Sequence, residues 1–199
     1  GTNGLLADPI TTQELTKYAE RLELSGHQLV AIEQLHDEYK RSFRVLRDGD
    51  IAEFMQEMSR MNTTGLPDRE VLDAFMVKLD RLQRRIAHLD DQLFDRLYPV
   101  LTTEQAERLP RVKLARERHR YVSRQQMMYM GSAPPALSEI VFALEDLDPE
   151  TRAMLDATLE PYERRLTREL AKNVKGFPGM MHEMLDLLEE AGYTGFDPE

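Results

Sequence analysis

Soft-metal ligands gather at one place in this chain: Met180, Met181, His182, Glu183 and Met184 follow one another near its end. Thioether and imidazole groups suit Cu(I) where no thiolate competes, and the sequence contains no cysteine. That composition also removes zinc fingers, iron–sulfur clusters, thiol nucleophiles and disulfides. His182-Glu183 does not continue into His-Glu-x-x-His, because position 186 is Asp. His36 follows Glu33 at the spacing of half a di-iron motif, but no second copy exists. His27, His36, His88 and His119 fall on mostly polar faces and are expected in solvent. Asp90-Asp91 and Glu189-Glu190 are adjacent on helices, so each pair points apart and forms no acid–base dyad. No glycine-rich phosphate loop or serine nucleophile elbow occurs. The inventory argues against an enzyme, and no cofactor or metal ligand is assigned. A Cu, Zn or Ni sensor or buffer built around His182 is kept as an alternative.

The elements that would position such groups are helices. Thr11, Ser25, Thr102 and Asp148 each precede an amphipathic stretch as helix N-caps, and Glu14, Gln28 and Gln105 stand where they complete capping boxes. Helices are expected from Thr12 to about Leu22, Gly26 to about Arg47, Ile51 to Met61, Asp68 to Leu97 and Thr103 to about Met130. A short helix over 137–145 follows, then one from Asp148 to about Val174 and a last one from about Met180 to Glu190. Leu72, Phe75, Leu79, Leu82, Ile86, Leu89 and Leu93 form an unbroken heptad seam that needs a partner helix. Pro110 and Pro161 are expected to bend or break their helices, and the clusters at Gly49 and Gly176–Gly179 to separate elements. The spacing predicts an all-α fold of elongated antiparallel helical hairpins, coiled-coil-like, with no strands.

The 199 residues carry a net charge of −10, which disfavours nonspecific nucleic-acid binding, and no apolar run is long enough for a membrane span. Charge is uneven. Seven Lys/Arg face one acid between Arg108 and Arg124, and seven acids face one base between Glu139 and Glu160. These stretches are read as helix faces that attract each other, with Arg111, Arg116 and Arg120 on the rim and Leu109, Val112, Leu114 and Tyr121 packing inward. Phe54, Met55, Met58 and Met61 fall on one stripe. Methionine suits adaptable apolar capture, so this stripe and the arginine face are read together as a surface for unfolded chains.

Leu101-Thr102-Thr103-Glu104-Gln105 and Leu24-Ser25-Gly26-His27-Gln28, flanking a helical hairpin, resemble the paired Leu-Thr-x-x-Gln motifs of the Spy/CpxP periplasmic stress-protein family. The motif residues are Leu24, Ser25, Gln28, Leu101, Thr102 and Gln105. The second match is literal and the first has Ser for Thr. Leu147-Asp148-Pro149-Glu150-Thr151 lacks the Gln. The resemblance covers about 22–124. It divides the chain into a Spy/CpxP-like unit over 1–130 and a helical extension or incomplete second unit over 131–199. It implies a bent cradle, a possible homodimer, and a non-enzymatic, ATP-independent chaperone or envelope-stress protein whose partners are unfolded or signalling proteins. A periplasmic or secreted location is expected, with a signal peptide or tag removed before Gly1. A structural adaptor that recruits a partner helix to the heptad seam is the third reading.

Overall fold

The structure is a computed structural model describing residues 5–61, 68–129 and 147–192, with positions 137, 141 and 144; Met61 and residues 126–129 are described by backbone alone. The chain is all-α, and no strand occurs among the described residues. Six helices are described: α1 (Thr12–Arg21), α2 (Gly26–Leu46), α3 (Ala52–Met61), α4 (Arg69–Leu97), α5 (Thr103–Tyr129) and α6 (Pro149–Glu190). None is long and apolar enough to cross a membrane. The short helix expected over 137–145, and the side chains of Met61, Met127, Met128 and Met130, lie outside what is described.

Local signals set the helix starts. The Glu14 N–H donates to Thr11 Oγ1 at 3.1 Å and the Thr11 N–H returns to Glu14 Oε2 at 3.0 Å, closing the capping box on α1. Asp148 accepts from the Thr151 N–H at 2.9 Å, and Pro149 occupies the first turn of α6, where its missing N–H costs nothing.

Gly49 is not a break. A π-helical turn, Arg47–Ile51, carries α2 directly into α3. The buried seam explains it: Ile32, His36, Tyr39, Phe43 and Leu46 advance by four, three, four and three, then Ile51 follows after five, and Phe54 after three. A wider turn absorbs the extra residue and keeps the apolar stripe on one side of the rod. On α4 the buried stripe runs through Leu72, Met76, Leu79, Leu82, Ile86, Asp90 and Leu93, with Phe75 and Leu89 half-buried beside it.

Cross-helix pairs fix the directions. Glu38–Arg96, Asp50–Arg85 and Glu57–Lys78 set α2–α3 antiparallel to α4, and Asp95–Lys113 with Asp90–Arg116 sets α4 antiparallel to α5. One pair departs from hairpin order. Arg111 reaches Asp156 and Glu163, while farther along α5 Leu114 and Glu117 share a cleft with Thr167 and Ala171, so α6 runs parallel to α5. Its far end meets the start of α4 through Asp73–His182 and Arg69–Asp186.

No break occurs at Pro110, Pro161 or the Gly176–Gly179 cluster: Pro110 lies within α5, and α6 continues through Pro161 and then through Gly176, Pro178 and Gly179 to Glu190. Each proline removes one backbone hydrogen bond. Burial on both sides of the glycine cluster, at Val174 and Leu185, holds the helix in line. The buried stripe of α6 runs through Leu159, Glu163, Thr167, Leu170 and Val174, and Tyr162 stays exposed.

Candidate functional site

The two Leu-(Ser/Thr)-x-x-Gln motifs meet. Gln28 Nε2 donates to Gln105 Oε1 at 2.7 Å, and Gln105 Nε2 donates to Gln28 Oε1 at 3.1 Å. The second amide proton of each goes to the chain just ahead of the other's cap: Gln28 to the Val100 carbonyl at 2.7 Å, Gln105 to the Glu23 carbonyl at 2.9 Å. Each side-chain oxygen also accepts its own cap's backbone N–H, from Ser25 at 2.8 Å and Thr102 at 3.0 Å. Both amides are buried and fully used. Leu24 and Leu101 pack against the core beside them. Glu23 adopts φ of 52°, the left-handed turn that ends α1 and aims its carbonyl at Gln105.

A second polar centre lies inside the bundle. Asp90 and Arg116 are both fully buried. Asp90 Oδ1 accepts from Tyr39 Oη at 2.8 Å and Arg116 Nη2 at 3.3 Å; Oδ2 accepts from Arg116 Nε at 2.8 Å and Arg120 Nη1 at 2.7 Å. Arg116 also donates to Glu14 Oε1 at 3.2 Å and to the Asp8 carbonyl at 2.7 Å. The Ile10 N–H donates to Tyr39 Oη at 3.0 Å, and His36 Nε2 donates to the Ile10 carbonyl at 2.7 Å. The irregular segment before α1 thus finds partners for its buried backbone among side chains of α2 and α5.

Electrostatics follow from this geometry. Burial works against the Arg116 charge, but Asp90 outweighs it and pushes the guanidinium up. Burial and then the Asp90 charge push the Tyr39 phenol up. Burial raises Glu14, yet the hydrogen bond with His119, the Arg116 charge and the Thr11 N–H overcome it and leave this carboxyl at about 2. All four acceptor positions of Asp90 are taken and no surface of it reaches water, so the cluster is built to hold helices together.

The expected binding surface is rearranged accordingly. Phe54 is buried and stacks on Phe75 with ring centroids 4.7 Å apart, because the π turn rotates it into the seam; it is not an exposed capture residue. Met55 and Met58 are half-buried at the edge of the core. Arg116 leaves the rim for the centre. Arg120 lies at the edge of that centre on Asp90, and Arg111 bridges to Glu163 at 2.8 Å and Asp156 at 3.1 Å. The last contact realises the expected attraction between the basic and acidic stretches. Leu109 and Val112 do pack inward, whereas Leu114 and Tyr121 are half-buried.

His36 is buried rather than solvated, and His119 pairs with Glu14 at 2.7 Å. His182 pairs with Asp73 at 2.8 Å; Met180 and Met184 are exposed, and Met181 packs on the core. Among the described residues, no three His, Cys, Asp or Glu side chains converge as a metal site. No sequence motif groups Asp90, Arg116, Tyr39 and His36. The available signal was position: each stands where its helix's apolar stripe requires a core residue. No family model, curated protein or solved structure matches the chain.

Proposed function

We propose that this chain is a non-enzymatic helical protein of the Spy/CpxP kind, acting in the periplasm on unfolded or stress-signalling proteins without ATP. The observation that carries the reading is the reciprocal Gln28–Gln105 pair. A lone capping box serves its own helix. Here two boxes 77 positions apart spend their glutamines on each other, joining the starts of α2 and α5 into one corner. This is an architectural use of the motif whose residues carry the family resemblance.

Client contact is assigned to Met55 and Met58, half-buried and conformationally adaptable on α3. Phe54 and Arg116 support the fold from within, and Arg111 and Arg120 are held in ion pairs. The test is suppression of aggregation of a heat-denatured client, followed by light scattering without ATP. Protection is expected near equimolar protein, and Met55→Ser with Met58→Ser should reduce it severalfold while leaving the helical spectrum intact. No protection by the parent protein rejects the reading.

A further inference from the structure

A cavity of about 390 Å³ opens where the N-terminal segment, α4, α5 and α6 meet. Leu5, Met76, Ile86, Ala171, Val174 and Pro178 give it an apolar wall. Its size and lining are those of a small-ligand site, which ordinarily adds a few placed polar groups to apolar walls. Four cations, Arg84, Arg120, Arg124 and Lys175, and one carboxylate, Asp80, line it. Two of the cations are already used, Arg84 on Asp80 at 2.7 Å, which also occupies that carboxylate, and Arg120 on Asp90 at 2.7 Å.

Arg124 is different. Only 8% of it is exposed, yet its hydrogen-bond partner is the neutral side-chain oxygen of Gln83, and its Nε has no acceptor. Burial pushes this guanidinium down, with only partial relief from Asp80. A cation taken out of water without a carboxylate is costly to keep, and an arginine fork suits a carboxylate above other partners. Lys175 stands exposed on α6 among the lining residues. Every other buried cation of α5, Arg116 and Arg118, reaches a carboxylate of the chain itself.

We propose that this cavity binds a small aliphatic carboxylate, its tail against Met76, Ile86 and Val174 and its head on Arg124, with Lys175 assisting. The apolar wall and a guanidinium that no carboxylate contacts together specify one anionic head and one hydrocarbon tail. This site is separate from the α3 methionines, and its test does not depend on client binding.

The probe is decanoate, titrated calorimetrically into the full chain below its micellar concentration, beside decanol (tail alone) and acetate (head alone). One decanoate per chain is expected, with decanol and acetate binding at least about tenfold more weakly. Arg124→Gln should weaken decanoate by about tenfold or more. Ala171→Phe, which fills the cavity from a half-buried position, should abolish binding while the melting curve stays close to the parent's. If Arg124→Gln does not fold, the comparison of probes and Ala171→Phe still decide. Absence of saturable decanoate binding, equal binding of decanol, or undiminished binding by Ala171→Phe overturns the proposal.

Discussion

At the scale of single residues, the fold turns on a carboxylate that four donors share. Asp90→Ala would leave Arg116 buried without its main counter-charge, and removing one partner of a buried pair typically costs about 3–5 kcal/mol. The expected result is an unfolding free energy, extrapolated from urea denaturation, lowered by that amount. Asp90→Leu combined with Arg116→Met should recover a large part of the loss, since it removes both charges together. If the double variant is no better than Asp90→Ala, the loss comes from shape or from Arg120, Tyr39 and Glu14 left without their partners, and not from the Arg116 charge. These residues were only half legible in the sequence. Their positions on the apolar stripes can be counted, but which polar residues of four helices share a level depends on tertiary register. The capping boxes at Thr11, Ser25 and Thr102 were legible because every group involved lies within three residues.

At the scale of elements, the π turn is the informative departure from regular helix. The step of five from Leu46 to Ile51 is visible in the sequence once the stripe is followed through it, whereas Gly49 read by itself suggests a joint. Deleting Gly49 should convert the turn to ordinary α-helix, preserve the inward face of both halves, and raise stability by about 1 kcal/mol through loss of a helix glycine. A chemical-denaturation curve checks this, and a collapse in stability would show that the wide turn serves something other than register. The uninterrupted α6 teaches the converse. Gly176, Pro178 and Gly179 are local breakers, but Val174 and Leu185 are both buried, and tertiary packing outweighs propensity at such a site.

At the scale of the molecule, acid is expected to loosen the bundle through the same centre. The Glu14 carboxyl falls from an ordinary 4.5 to about 2 in the folded chain. Its stabilisation is therefore complete above about pH 4.5 and is lost as pH falls toward 2, a swing of up to about 3 kcal/mol. Glu14→Gln keeps the cap geometry but carries no titrating group, so its stability should fall less than the parent's between about pH 5 and pH 2.5. Parallel losses in the two proteins would assign acid sensitivity elsewhere. The direction of α6 has its own consequence, in time. The helices before it pair as near neighbours in antiparallel order, whereas the helix that covers the outer flank of α5 runs the same way as α5 and ends 61 residues after Tyr129, at Glu190. During synthesis at about 5–20 residues per second, Arg111 and Arg118 wait roughly 2–7 s after α5 is made for Glu163, and the whole of α6 follows within roughly 3–12 s. Until α6 emerges, that flank of α5 has to stay hydrated without its carboxylate partner.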